Sequence, residues 1–393
     1  MDFRGSESAL YEVVSPAFYV TRVFGLAPYA FPRNNRPAKL QPSRKYCIFA
    51  IVWIIIYGYI VVHAFIRFDA GDDDRPVLGA TEKAKLILNY MVSVTELSLS
   101  VLNRKNFVHV WNSIQEFDES FRLGVVLNAV EASKGQPLKY GPLVSQSRIW
   151  LWSSLVVSTI GWTAINQLGM HAFNEPYLRN VGYLLTYVGT YIAVFKFCGI
   201  VFLLGQRFAY LNRLILRRTN NGVASSLDEA NVQRIEFWYN QLLDTSRKFN
   251  DTYSCSLLMF IFNLFLHTVC NMYFFVYWLI VNPDYLTNAK VMSCEFVWLV
   301  MFVVQLMALY SVCDFASEEA NRTAAILLNW RRMADRPGKQ NDFKSTIHLL
   351  NQRLYFTAGG CFHVDLPSLT STFGHLTTYL VILLQLPKTK EDS

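Results

Sequence analysis

The stretch LPSLTSTFGHLTTYLVILLQL, residues 366–386, decides how this chain is read. As a helix it is long enough to cross a hydrocarbon core of ~30 Å. It closes with Thr378-Tyr379, five aliphatic residues and Gln385-Leu386. A glutamine amide at the end of such a helix is costly in hydrocarbon unless it meets water, a polar partner or copies of itself. Two roles fit: bonding to headgroups and water at the interface, or facing a polar path that runs beside the helix.

The rest of the chain is built in the same style. Of its 393 residues 52% are apolar, 15% are aromatic and only 17% are charged, and the apolar residues gather in long runs. That combination indicates a polytopic membrane protein. Seven runs are long enough to span: 46–66, 84–103, 149–170, 181–206, 255–281, 293–313 and 366–386. The second is interrupted by Asn89, Glu96 and several serines. The expected fold class is therefore all-α, with seven transmembrane helices.

Basic residues orient the chain. Segments 1–45, 104–148, 207–254 and 314–365 together hold 27 Lys and Arg, and the segments between the other span ends hold seven, with Lys85 and Lys196 inside spans. The positive-inside rule then predicts a cytoplasmic N-terminus, and an odd number of spans places the C-terminus outside. This is the reverse of a rhodopsin-like G-protein-coupled receptor, whose D-R-Y and N-P-x-x-Y signatures are also missing. The net charge of +7 follows from this topology. No Gly-rich phosphate loop or basic-aromatic stripe accompanies it, so no nucleic-acid partner is expected.

Met1-Asp2-Phe3-Arg4 does not begin a charged-then-apolar leader, so the first span is expected to act as a signal anchor. The seven cysteines show no outer-loop pair and no metal-ligand spacing, and no disulfide, metal or cofactor is expected. Asn250-Asp251-Thr252 and Asn321-Arg322-Thr323 fit the glycosylation pattern, yet both fall on the inner side and read as chance matches. The histidines, among them His63, His171 and His267, form no H-E-x-x-H, and no G-x-S-x-G occurs. An enzyme is not expected, and a lone His within a span reads as a hydrogen-bonded packing residue.

The three inner connections, 104–148, 207–254 and 314–365, are 45, 48 and 52 residues long, too long for bare linkers. Apolar residues recur in them at helical spacing: Phe107, Val110, Trp111, Ile114, Phe117 and Phe121, then Ile235, Trp238, Leu242 and Phe249. Ala324, Leu327 and Leu328, and later Ile347, Leu350 and Leu354, mark the third. Several spans are thus expected to continue inward as helices and pack into a shared bundle. The breakers fall at Gly135-Gln136-Pro137, Asn220-Asn221-Gly222 and Arg336-Pro337-Gly338. Gly359-Gly360 is expected to break a helix between its cytoplasmic and spanning halves. Asp365 is expected to cap the last span or pair with a basic residue.

Thr357-Ala358-Gly359, Phe362, Val364-Asp365, Phe373-Gly374 and the closing Thr378-Tyr379-Leu380-Val381-Ile382-Leu383-Leu384-Gln385-Leu386 together resemble the C-terminal signature of insect gustatory receptors. That signature is Thr-Tyr, five apolar residues, Gln, Phe. Here the final Phe is Leu386, an ending also found in the related insect odorant receptors. The close match covers about thirty residues, and the spans, topology, length and long inner loops agree with the family over the remainder.

The resemblance implies a homotetrameric or heterotetrameric ligand-gated cation channel in the plasma membrane of gustatory or other sensory neurons. In that family the last helix of each subunit lines one central pore, and the inner continuations of the later spans join the subunits. The implied organisation is a cytoplasmic tail (1–45), a six-helix ligand-sensing region (46–313), cytoplasmic anchor helices (314–365), the pore helix (366–386) and an extracellular tail (387–393). On a 3.6-residue helix His375, Thr378, Ile382, Gln385 and Leu386 share one stripe. Ile382 and Leu386 would gate by dewetting, and Gln385 would offer carbonyl oxygens to a partly dehydrated cation. No carboxylate lies in this helix, so weak discrimination among monovalent cations is expected, with divalent cations also able to pass.

The family's ligand pocket lies in the outer half of the spans preceding the pore helix. In the derived directions Tyr90, Trp162, Asn166, Gln167, Tyr187, Tyr191, Tyr273, Trp278 and Trp298 fall there. Aromatic walls with a few amides and phenols suit small organic tastants, although Trp and Tyr at that depth also form interfacial belts. Glu96 and Lys196 are the intramembrane charges expected to carry a buried polar function or to reach the headgroups. A metabotropic receptor or a secondary transporter is the alternative reading.

Overall fold

The computed structural model describes residues 7–31, 39–69, 76–131, 141–173, 177–220, 229–281, 289–334 and 351–385. In chain order its elements are α1 (Glu7–Val23), β1 (Tyr29–Ala30), β2 (Gln41–Pro42), α2 (Arg44–Asp69), α3 (Pro76–Leu102), α4 (Arg104–Glu131), α5 (Gly141–Phe173), α6 (Tyr177–Asn220), α7 (Glu229–Val281), α8 (Ala289–Ala334), β3 (Thr357–Ala358), β4 (Phe362–His363) and α9 (Leu366–Gln385). β1 pairs with β2 and β3 with β4, both antiparallel. All seven stretches expected to span are helical.

Among the described residues, five helices are long and apolar enough to cross a membrane: Arg44–Ile66, Lys83–Leu102, Leu184–Leu216, Gln233–Val276 and Ala289–Leu327. The other two expected spans are more polar. α5 carries Ser153, Ser154, Ser158, Asn166 and Gln167, and α9 carries six Ser and Thr together with His375 and Gln385.

Burial separates centre from periphery. In α6, apolar on all sides, 78% of the most apolar window is buried, against 17% in α2, whose Ile48, Ile55, Tyr59 and Ile66 face outward. A helix hydrophobic all round belongs at a core, and α6 packs on α8, α5, α7 and α3. Residue pairings fix the relative directions. α3 runs parallel to α6, with Asn89 meeting Thr190 and Glu96 meeting Lys196. α7 runs antiparallel to α3, with Asn271 meeting Lys85 and Ser256 meeting Glu96. α9 is antiparallel to α8, with Thr372 meeting Tyr310 and Leu366 meeting Asp314. The chain thus reverses direction from α6 to α7 and from α8 to α9, as threading back and forth across a bilayer requires.

The expected continuations of the spans are helical. α7 has 53 residues, about 80 Å at 1.5 Å per residue, far beyond a ~30 Å hydrocarbon core. α6 and α8 have 44 and 46. α4 follows α3 almost without a break, since Asn103 O accepts the Phe107 N–H at 3.0 Å. Phe107, Val110, Trp111, Ile114, Phe117, Phe121, Ile235, Trp238, Leu242, Phe249, Ala324 and Leu327 are all buried. Arg207 of α6 grips Asp118 of α4 through two bonds of 3.1 and 2.7 Å, and Asn212 donates to the Glu319 carboxylate at 2.7 Å. α4, α6 and α8 reach Glu131, Asn220 and Ala334 and so run up to the expected breakers, which lie mostly outside the described residues. The Leu328 side chain, Ile347 and Leu350 also lie outside them.

Close helix contacts rest on small residues. At Gly205 of α6 an added Cβ would lie 2.7 Å from the Phe315 ring and 3.1 Å from the Ala316 Cα on α8. Backbone cannot yield as a flexible side chain does, so Gly205→Val pushes the two central helices apart. The expected cost is about 1–3 kcal/mol, to be read as a Tm lowered by several degrees in the purified protein.

Two local expectations are corrected. Gly359 and Gly360 do not interrupt a helix. They form the tip of the β3–β4 hairpin at φ +59° and +71°, where Cys361 N donates to Ala358 O at 2.9 Å. Two consecutive residues at positive φ suit a tight hairpin turn and cost glycine little. Leu354 is buried but belongs to a non-helical segment, residues 352–356, leading into that hairpin.

Candidate functional site

Helix direction and rotation bring four of the nine aromatic and amide candidates into one cluster. Trp162 of α5 meets Trp298 of α8 edge-on at 5.5 Å between ring centroids, and Tyr187 of α6 meets the same indole at 4.8 Å. Tyr191, one turn along α6, contacts Trp162 at 6.3 Å. Two further residues complete the group. His267 of α7 stacks on Phe302 of α8 at 4.5 Å and meets Tyr187 edge-on at 5.4 Å. Trp162 Nε1 and His267 Nε2 are buried with no hydrogen-bond partner among the described residues. Orphaned polar atoms in an aromatic setting are uncommon in folded proteins, and they supply the directed contacts that a small-molecule site needs beyond its apolar walls.

The remaining candidates lie elsewhere. Tyr90 approaches Gly58 of α2. Asn166 is buried next to Met170, and Gln167 is exposed. Tyr273 groups with Cys270 and Phe274, against which Leu380 and Leu383 of α9 pack. The Trp278 side chain lies outside the described residues. Sequence alone makes His267 a hydrogen-bonded packing residue; its packing is as expected, but its Nε2 has no partner among the described residues.

Beside the cluster lies a buried ion pair. Lys196 Nζ is 3.3 Å from Glu96 Oε1, 3.0 Å from Ser100 Oγ and 3.0 Å from the Leu26 carbonyl, and Ser256 Oγ donates to Glu96 Oε2 at 2.6 Å. Glu96 is 2% exposed and Lys196 8%, so neither extends toward headgroups. The network joins α3, α6, α7 and the segment following α1. A second buried lysine, Lys85, donates to Asn271 at 2.9 Å and sits 4.6 Å from the centroid of the Phe274 ring.

α9 has two unlike faces. Leu369 and Leu376 are buried, and Leu380 and Leu383 pack on α7. Tyr379 meets Phe265 of α7 edge-on at 5.8 Å. His375, Thr378, Ile382 and Gln385 are all exposed within the single chain. Leu386 lies outside the described residues. Asp365 caps the helix: Ser368 N donates to Asp365 Oδ1 at 2.9 Å and Asp365 N to Ser368 Oγ at 3.1 Å, a reciprocal capping arrangement.

The segment before α9 is held by side chains of α7 and α8, two of them the asparagines read above as chance glycosylation matches. Thr357 N donates to Asn250 Oδ1 at 2.9 Å, Ser254 Oγ to Thr357 O at 2.8 Å, and Gly359 N to Ser254 O at 2.8 Å. The Asn321 amide bonds to both backbone groups of Leu354, at 2.9 and 3.1 Å. Both asparagines of the apparent glycosylation sites thus use their amides to fix this segment, and Ala358 is fully buried.

The sequence matches the 7tm chemosensory receptor family over residues 14–387. It is 29% identical over 211 residues to gustatory receptor 68a of Drosophila melanogaster, covering 48% of this chain and 49% of that one. It is 32% identical over 157 residues to gustatory and pheromone receptor 32a of the same species, covering 39% and 33%. These two matches span about half and about a third of those relatives. Gustatory receptor for sugar taste 43a, also from Drosophila melanogaster, aligns over 95% of this chain and 97% of its own at 20% identity. Among solved structures, the insect olfactory receptor OR5 from Machilis hrabei superposes with a TM-score of 0.66 at 14% identity, over 97% of this chain and 100% of that one. The same receptor in complex with eugenol gives 0.65 at the same identity and coverage. The likeness shows a shared fold.

Proposed function

The chain belongs to the 7tm chemosensory receptor family, and on that premise we propose that it is a ligand-gated cation channel opened by a small organic tastant. The observation that carries this reading is the uncovered face of α9. One side of the helix is packed on α7 and α8, while His375, Thr378, Ile382 and Gln385 remain exposed within one chain. Lipid is a poor partner for an imidazole and an amide, whereas four such faces around an axis would form an aqueous path. Gln385 would coordinate cations, monovalent and to some degree divalent, and Ile382 and Leu386 would close the path by dewetting. Residues 46–313 would sense the ligand, 314–365 would anchor subunits of a homotetramer or heterotetramer, and 366–386 would conduct. The setting would be the plasma membrane of sensory neurons, with the N-terminus inside and α5 and α9 completing seven spans.

The tastant would sit among Trp162, Tyr187, Tyr191, His267 and Trp298, stacking on the rings and bonding to Trp162 Nε1 or His267 Nε2. Eugenol in the olfactory receptor is a ligand of this general kind, a small aromatic molecule. α7 would transmit the event, since His267 faces this cluster while Phe265, Cys270, Tyr273 and Phe274 abut α9. Trp162→Phe keeps an aromatic ring and removes the N–H. It is expected to raise the half-maximal ligand concentration about tenfold, the equivalent of ~1.4 kcal/mol, with ion selectivity unchanged in whole-cell recordings. An unaltered dose response would place the ligand elsewhere.

A further inference from the structure

We propose that the chain holds a second small-molecule site, between α1, α4, α5 and α6, for an uncharged and mainly apolar molecule that carries one hydrogen-bond acceptor. A cavity of ≈60 Å³ lies there, lined by Phe18, Tyr29, Trp111, Trp150, Phe195 and Gly199 among others. At ~10–15 Å³ for each water in this measure, that is room for about four to six waters or one six-membered ring. The space is half open and its accessible wall is almost wholly apolar, so it favours an apolar molecule over water. Gly199 lies about 12 Å along α6 from Tyr191 at 1.5 Å per residue; Phe195 of the lining stacks on Tyr191 at 6.4 Å, so this space adjoins the cluster around Trp162 but shares none of its residues.

Two observations give the cavity a chemical character. Trp111 lines the cavity and its Nε1 is buried with no hydrogen-bond partner among the described residues, so a wall residue carries an unsatisfied donor that an occupant's acceptor can meet on a small turn of the indole. Gly199 is the second. Glycine inside a helix costs about 0.5–1 kcal/mol relative to alanine, yet a Cβ added here would meet only Trp150 Cζ3, at an ordinary 3.7 Å. Close packing explains Gly205 and Gly189, where an added Cβ would collide with Phe315 and with Tyr57. It does not explain Gly199, whose missing side chain leaves the cavity open.

The walls also exclude charged ligands. Lys196 contributes to the lining, but its ammonium is engaged by Glu96, Ser100 and the Leu26 carbonyl. Tyr29 is fully buried, chiefly by which its phenol is held well above its usual pKa and stays neutral. An occupant would bridge α1 to α5 and α6 next to the ion pair, and so fix the N-terminal helix against the bundle.

The test is thermal unfolding of the purified full chain in detergent, titrated with cyclohexanone and, as the acceptor-free control, methylcyclohexane. The expected result is a saturable rise in Tm with cyclohexanone. It should be lost in Gly199→Leu, which fills the space, and need about tenfold more cyclohexanone in Trp111→Phe. Methylcyclohexane should act equally on wild type and Trp111→Phe. Trp111→Phe is a mild change and decides the matter even where Gly199→Leu folds poorly. Equal responses in wild type and both variants would overturn the proposal, as would a density map of the purified protein with a lipid acyl chain filling the cavity. The readout is stability, not current, so it stands apart from the channel reading.

Discussion

Lys196→Met lowers the stability of the purified protein by about 3–5 kcal/mol, and Lys196→Met combined with Glu96→Gln recovers most of that loss. The single substitution leaves a carboxylate 2% exposed with only the Ser100 and Ser256 hydroxyls around it. Removing one partner of a buried pair is far more damaging than replacing both, because the surviving charge keeps its desolvation cost without its counter-ion. Glutamine at position 96 retains an acceptor for Ser256 and is neutral. The network ties three helices to the Leu26 backbone, so the single variant should also reach the cell surface poorly. Thermal unfolding and surface labelling of both variants check this. A double variant as unstable as Lys196→Met would show that the pair is held by its geometry and not by charge balance.

Ile382→Ser is expected to give a standing current without ligand, roughly tenfold or more above wild type in cells with matched surface expression. In the proposed pore a ring of Ile382 side chains would close the passage because water is not retained between apolar walls, and a hydroxyl in each subunit would restore wetting. Ile382 is 49% exposed in the single chain and lies off the face that packs on α7, so the substitution leaves the helix docking intact. Whole-cell recording in ligand-free solution measures the effect. A silent variant that still opens with ligand would move the gate elsewhere along the helix.

The parts legible in the sequence are those governed by local pattern. Long apolar runs marked the helices, and the spacing of Phe107, Trp111, Ile114 and Phe121 marked the inner face of α4 before any contact was visible. Charge asymmetry and loop length predicted alternating helices with long inward ends. What escaped depends on partners far along the chain. Residues 352–363 hold too little regular structure to announce a hairpin, and their conformation is set by Asn250, Ser254 and Asn321 on two other helices. Paired glycines signal a helix stop and a positive-φ turn equally well. Among the aromatic candidates, the helix was readable but rotation was not. Tyr187 turns toward Trp298, whereas Tyr273 turns toward α9 and Gln167 turns outward. Glu96 and Lys196 were conspicuous as charges in apolar runs, but their pairing needs α3 and α6 to be parallel and in register.

The most direct test of the pore assignment is the bi-ionic reversal potential of the ligand-evoked current in cells expressing this chain, for wild type and Gln385→Ala. If α9 lines the path and its amide meets the ion, the substitution shifts relative permeability among Na⁺, K⁺ and Cs⁺ and leaves the half-maximal ligand concentration unchanged. A ligand-evoked current with the same reversal potentials in both proteins would contradict it, and would assign the uncovered face of α9 to lipid.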